Sequence, residues 1–372
     1  MPQDVSPYST YEYLRSAGEL HWTGRTWLVL SHAAVAEGLV HASLSARRVD
    51  LLFPQGAAGR DSEALRSTLC AWTFFSDVTD VKAERKFIWD QLGPKALGNL
   101  EELVVRQSTV AWTRAREGKK PFDVLGELTS PLRVAIAKMF LELEHVDSAE
   151  LRDACADADR VFEFITGANG SYSETAAAAS MVEIKKTLLK SGIFKKTDLS
   201  EARVLDQLAL LLVVSVFIEK AIANVVTVVL SRKEAWASFE KGETAALVRE
   251  ALRLESPTQV TSRIAIEDFE WHGKTIKSGE QVSLVIGSAN RDQGLFEKAS
   301  EFSATRGDVK LLTFGNGGKR CPGEWMTSAI VERVFESLRA VMTPSDSAPK
   351  IHDLAWIENP ESRRPTRLSI QF

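Results

Sequence analysis

The chain has 372 residues, 44% of them hydrophobic and 26% charged, with a formal charge of −4 at neutral pH. That balance describes a globular protein with a sizeable core and argues against nucleic acid or an anionic membrane surface as the main partner. Cys70, Cys155 and Cys321 are odd in number and far apart, and the six histidines are scattered, so neither a disulfide framework nor a zinc site is indicated.

The start, MPQDVSPYSTYEY, is polar and proline-bearing, without the charged and apolar regions of a signal peptide, and implies a cytoplasmic protein. LHWTGRTWLVLS at 20–31 reads as a hairpin around a Thr-Gly turn. In 98–112 the apolar residues Leu100, Leu103, Val104 and Trp112 recur at helical intervals, and 123–143, 148–166 and 202–231 behave similarly. Between them, FITGANGSYSETAAAAS at 164–180 has the small, glycine-bearing composition of a pocket lid or of a plain surface loop. LALLLVVSVFI at 208–218 is too short to span a bilayer before it meets Glu219 and Lys220, and reads as a buried core helix. FEWHGKTIKSGEQVSLVIG at 269–287 alternates around two glycine turns, and TRLSIQF at the end is a further strand. No linker or repeat divides the sequence, so the expectation is one domain over 1–372, mainly α, with small accessory antiparallel sheets.

The densest pattern is LTFGNGGKRCPGEW at 312–325. Met326, Ile330, Val334 and Leu338 form one apolar stripe of a helix that begins just behind Cys321. A cysteine at a helix N-terminus meets the positive end of the backbone dipole, which favours its thiolate, and Lys319 and Arg320 add positive charge. Glycines at 315, 317 and 318 permit turns closed to other residues and let the loop lie flat against something bulky. A phosphate-binding loop does not fit, because Arg-Cys follows the lysine where Ser or Thr would be needed. A lone cysteine is more often simply core, but Phe314, Gly315, Gly317, Lys319, Cys321 and Gly323 make a far more demanding pattern.

Those residues resemble the haem-binding loop of the cytochrome P-450 family, and ANRDQGLFEKASEFSATRG at 289–307 and the N-terminal helix and hairpin resemble its bacterial members. The resemblance runs from about residue 8 to residue 340. It implies a P-450 fold with one haem b whose iron is held by the Cys321 thiolate. The family's Glu-x-x-Arg pair falls on Glu250 and Arg253, three apart on one helix face and followed by Ser256-Pro257; the same spacing at Glu12/Arg15 and Glu63/Arg66 reads as solvated helix face. Arg85, Arg263 and Lys319 match positions that hold the haem propionates. Val81 stands where relatives have a histidine, and Lys310 is a weaker candidate, more simply a surface cation.

The central helix departs from the family. Relatives carry an acid and an alcohol there that relay protons for oxygen activation. Val214 and Ser215 fall on the preceding Ala-Gly, Phe217 and Ile218 on the acid and the alcohol, with Glu219 next and Lys220 its neutralising neighbour on the outer face. Two readings follow: a monooxygenase in which substrate or solvent completes the relay, drawing electrons from ferredoxin and ferredoxin reductase; or an enzyme that uses peroxide, or that dehydrates or rearranges its substrate. A non-catalytic helper is a third, disfavoured by the intact cysteine loop. The substrate is a small organic molecule, with the pocket expected from 50–75, 164–185, Val214–Ile218, 257–262 and 355–359.

Overall fold

The computed structural model describes residues 6–57, 59–92, 97–167, 173–307, 310–343, 346–357 and 359–372. Its centre is a nearly continuous helix, Glu201–Val214 followed by Val216–Ser231. Leu208, Ala209, Val213, Ile222 and Val225 are fully buried although they point in different directions around this helix. A helix apolar all round belongs in the interior of a large core. By length and composition alone it would cross a membrane, but 78% of its most apolar window is buried against the rest of the protein.

Other helices wrap this axis because each brings one apolar stripe. Thr244–Leu254 and Glu324–Val341 pack against it. In the latter, Met326, Ile330, Val334 and Leu338 are all buried, as the i, i+4 spacing requires. Leu97–Glu117 lies along the same helix and fixes it through Trp112, whose ring N–H donates to Val334 O at 3.0 Å. Ser148–Ile165 and Glu174–Leu188 form an antiparallel pair over the other side. The lid reading of 164–180 falls partly on 168–172, outside the described residues.

The sheets are small and peripheral. Leu20–Trp22 and Thr26–Val29 form the expected hairpin, with Gly24 at φ +88° in its turn. The second strand also pairs in parallel with Gln281–Leu284, so the five-stranded sheet is mixed while every other described pairing is antiparallel. Phe269–Trp271 and Lys274–Ile276 make a second hairpin. Lys350–Trp356 and Pro365–Gln371 make a third, capped by the short strand Phe122–Asp123.

Two ties join distant parts of the chain. The N-terminal helix Tyr8–Ala17 docks through Arg15, which donates to Ser288 Oγ at 2.8 Å and Arg291 O at 3.0 Å. Arg15 is thus not on a solvated face, whereas Arg66 and Glu63 are an exposed pair, as expected. At the end of helix Thr244–Leu254, Glu255 accepts from Tyr8 Oη at 2.8 Å, Arg291 Nη2 at 3.1 Å and Arg363 Nε at 3.2 Å. One buried carboxylate therefore gathers both ends of the described chain.

Candidate haem site

The loop before helix Glu324–Val341 is closed by its own backbone. Cys321 N donates to Phe314 O at 2.8 Å, and Arg320 N to Gly317 O at 3.0 Å. Gly317 sits at φ +62°, and a Cβ there would lie 2.3 Å from Val40 Cγ1, so the position admits glycine for two separate reasons. Gly315 takes φ +80°. The turn leaves the Cys321 side chain facing an internal cavity of about 310 Å³, which Phe314, Gly315, Lys319 and Gly323 also line. Gly317 does not line it; its part is the turn. Burial pushes the Cys321 thiol up, while the amides of Gly323 and Glu324 and the charge of Arg85 pull it down. The helix-end effect expected from the sequence is present but outweighed by desolvation. A metal bound by such a thiol takes the place of its proton.

Glu250 and Arg253 brace this loop from behind. Arg253 donates to Glu250 through Nε at 2.8 Å and Nη2 at 2.7 Å, a bidentate pair buried from solvent. Arg253 also donates to Asn290 O and Ala299 O, each at 2.7 Å, and Glu250 accepts from Ser303 N at 3.1 Å and Arg306 Nε at 2.8 Å. Arg306 is a third member that the spacing of the pair did not reveal. Asn290 passes the tie onward, accepting from Leu312 N at 2.7 Å and donating to Thr313 Oγ1 at 2.9 Å. The segment 289–307 and the start of the cysteine loop are thereby fixed to one helix.

Among the described residues, the cations Arg48, Arg85, Arg263 and Lys319 face the cavity. Burial pushes Arg263 down to about 10 and Lys319 down to about 7. Arg48, which the sequence did not single out, is pushed down to about 9 by burial and by Arg263. Its guanidinium lies over the rings of Phe74 and Phe75, 4.8 and 4.7 Å from their centroids, and donates to Ala46 O at 3.2 Å. Lys319 donates to the carbonyls of Thr73 and Ser76. Among the described residues, no carboxylate forms an ion pair with Arg48, Arg85, Arg263 or Lys319. Cations gathered out of water without counter-ions are costly, and the arrangement asks for an anionic ligand. Arg85 donates to Arg320 O at 3.4 Å on the cysteine side. Val81 is buried but does not line the cavity, and exposed Lys310 does not either.

The opposite wall is the central helix. Val214, Ser215, Phe217 and Ile218 line the cavity, and Ser215 marks the interruption between the two helical stretches. Its hydroxyl donates to Leu212 O at 2.6 Å and accepts from Arg133 Nε at 2.7 Å. Glu219 is not among the lining residues, contrary to the sequence reading. Its carboxylate accepts from Arg133 Nη1 at 3.0 Å, and Arg133 also donates to Asp159 at 2.6 Å. Burial works against the charge of Arg133, but Asp159 and Glu219 more than offset it. Lys220 does not neutralise Glu219 on an outer face. It is fully buried, its Nζ donates to Ser362 Oγ at 2.8 Å and lies over Phe162 at 3.6 Å, and burial pushes it well below the ordinary lysine range. Of the other expected wall segments, Thr73, Phe74, Ile165, Thr166, Pro257, Thr258, Val260 and Thr261 contribute; in the C-terminal hairpin the contribution comes from Glu361, and Glu358 lies outside the described residues.

The chain matches the family model described as "Cytochrome P450" over residues 243–354. It is 29% identical over 263 residues to the biotin biosynthesis cytochrome P450 of Bacillus subtilis, an alignment covering 66% of this chain and 65% of that protein, just under two-thirds of the relative's length. It is 24% identical to linalool 8-monooxygenase of Pseudomonas putida, covering 89% of this chain and 88% of the relative. Among solved structures, P450BioI in complex with an acyl carrier protein bearing hexadec-9Z-enoic acid aligns with a TM-score of 0.86 at 22% identity, over 99% of this chain and 98% of that one. Epothilone D-bound P450epoK aligns at 0.85 and 19% identity, over 98% and 96%. Haem, iron protoporphyrin IX, is the cofactor of this family. The residues here fit it: a thiol for iron, glycines where a flat ring must approach, and buried cations without counter-ions where two carboxylates would lie. The helical architecture, the cysteine loop, the buried Glu-Arg brace and the sequence matches agree, and the chain is similar in sequence and fold to bacterial cytochromes P450.

Proposed function

We propose that this chain is a haem-thiolate oxidoreductase that oxidises a small organic molecule in a bacterial biosynthetic or catabolic pathway, working in the cytoplasm as one haem domain over residues 1–372. The observation that carries the reading is the pairing, across one cavity, of Cys321 with a cluster of cations that lack counter-ions. In this reading Cys321 would hold the haem iron through its thiolate, Arg48, Arg263 and Lys319 would take the propionates, and Arg85 would support the thiolate from the loop side. Bound haem supplies the redox chemistry, with a thiolate ligand that pushes electron density toward O–O cleavage. Glu250 and Arg253 keep the loop in register, and Phe217 and Ile218 exclude water from the far wall. Electrons come from ferredoxin and ferredoxin reductase.

The expected outcome is an absorption band of the thiolate type when the reduced protein is exposed to carbon monoxide, lost in Cys321→Ala. A protein without the band, or a variant that keeps it, refutes the assignment.

One observation favours a second reading. Among the described residues of the central helix, Ser215 is the hydroxyl that faces the cavity, and its proton is committed to Leu212 O while Arg133 occupies a lone pair. It cannot donate toward the cavity without giving up the Leu212 contact. An enzyme that uses peroxide, or that dehydrates or rearranges its substrate, needs no such donor. Incubation with candidate substrates under reductant plus oxygen, peroxide alone, or neither separates the readings. Turnover that needs reductant and oxygen supports the monooxygenase, and product formed with neither sinks it.

A further inference from the structure

Glu361 lies in the turn between strands Lys350–Trp356 and Pro365–Gln371 and lines the cavity that Cys321 faces. Its backbone is anchored on both sides. The amide donates to Asn359 Oδ1 at 2.8 Å, the carbonyl accepts from Gln259 N at 2.9 Å, and the neighbouring Ser362 bridges to Thr258. The side chain therefore projects from a fixed point of the wall.

The carboxyl itself makes no hydrogen bond and no ion pair among the described residues. Among the described residues that line the cavity it is also the one acidic side chain. Burial pushes it up to about 7, and the one charge that pulls it back is Arg48. Arg48 is already engaged by two aromatic rings and a carbonyl, and in the functional reading above it serves a propionate. Two further carboxylates beyond Arg48 would raise the cost of a bare charge at Glu361. An ionised carboxylate out of water must find either a proton or a cation. Among the described residues no cation pairs with Glu361, and a ligand can supply one. The surrounding wall is aliphatic and aromatic, including Phe74, Phe162, Ile165 and Phe217, which suits the body of an organic molecule and also the periphery of an ammonium group.

We propose that Glu361 anchors a cationic group of the substrate, so that the cavity selects a largely apolar molecule carrying a protonated or quaternary amine. The inference rests on the haem-enzyme reading for the cavity's being the substrate site, and it adds the charge of the substrate to that reading.

The test titrates octyltrimethylammonium, octanol and octanoate into the haem-loaded protein, following both the haem absorption band and the heat of binding. The quaternary nitrogen has no lone pair and cannot ligate iron, so a preference for it reports the wall and not the metal. The expected result is that the ammonium binds about ten-fold more tightly than octanol, with octanoate weakest, and that Glu361→Gln collapses this preference to about two-fold or less. Equal binding of ammonium and octanol by the unaltered protein overturns the proposal, as does a preference that survives in Glu361→Gln. If that variant does not fold, the three-probe ranking on the unaltered protein still decides. Failure of the haem reading is seen separately, as absence of the carbon monoxide band, while calorimetry with the same probes continues to report on Glu361.

Discussion

Glu250→Gln tests the brace behind the cysteine loop. The substitution keeps the side-chain volume and one acceptor oxygen but removes the charge that Arg253 meets through two donors at 2.8 and 2.7 Å and Arg306 through a third at 2.8 Å. Arg253 keeps the carbonyls of Asn290 and Ala299 but loses its counter-ion in a position only 2% exposed. Breaking a buried ion pair by neutralising one partner costs about 3–5 kcal/mol. The carbonyl contacts and the remaining amide oxygen set the expectation at the lower end, about 3 kcal/mol, a large share of the roughly 5–15 kcal/mol by which domains are stable. Urea unfolding of the haem-loaded protein, read by tryptophan fluorescence and by the haem band, measures this directly. The haem band should be lost at lower urea than the fluorescence changes, because the network ties 289–307 and Leu312 to the helix and its loss loosens that region first. A loss below about 1 kcal/mol, with both signals still falling together, would show that the pair is replaceable by neutral hydrogen bonds and that the loop is held from elsewhere.

Three further outcomes follow from the site. Arg48→Ala should speed haem transfer to apomyoglobin several-fold, and Arg48→Lys should restore part of the retention; an unchanged transfer rate would remove Arg48 from the propionate set. Ser215→Ala leaves the buried Arg133 Nε without its acceptor and should cost about 1–3 kcal/mol in urea unfolding, against no loss if the helix interruption is held by packing alone. The raised Glu361 carboxyl favours the folded state while protonated, so its contribution is present below the ordinary glutamate range and is lost as pH rises toward about 7. Comparison of ligand-free unfolding at pH 5 and pH 8 should therefore show Glu361→Gln gaining on the unaltered protein at the higher pH, and a pH-independent difference would refute that environment.

What the sequence disclosed well was whatever a few adjacent residues decide. The loop from Phe314 to Gly323 is legible because positive φ and close approach each leave glycine little competition, and the stripe from Met326 to Leu338 because one helix face must be apolar. Arg48 was hidden because nothing local sets it apart from its neighbour Arg47: one turns inward under Phe74 and Phe75, while the other is exposed and pairs with Asp80. Glu219 lies one helical turn beyond Ser215 and so seemed to share its wall. A guanidinium from helix Ser130–Phe140, far away in sequence, claims it instead. Lys220 sits on a helix buried on all sides, which has no outer face to offer it. Each of these errors has the same origin: a charged side chain's direction is fixed by partners that only the tertiary structure supplies.

The junction at Glu255 bears on how the protein is made. Tyr8 and Arg363, far apart in the described chain, meet on one carboxylate, and the hairpin that carries Arg363 also supplies Ser362 to Lys220 and a carbonyl to Asn224 in the central helix. Until that hairpin docks, Lys220 lacks its hydroxyl partner and Asn224 one of its two carbonyl acceptors. Contacts of such long sequence separation form late. With the hairpin undocked the most apolar helix would carry a buried lysine without its partner, which makes docking of this hairpin the step that completes the core.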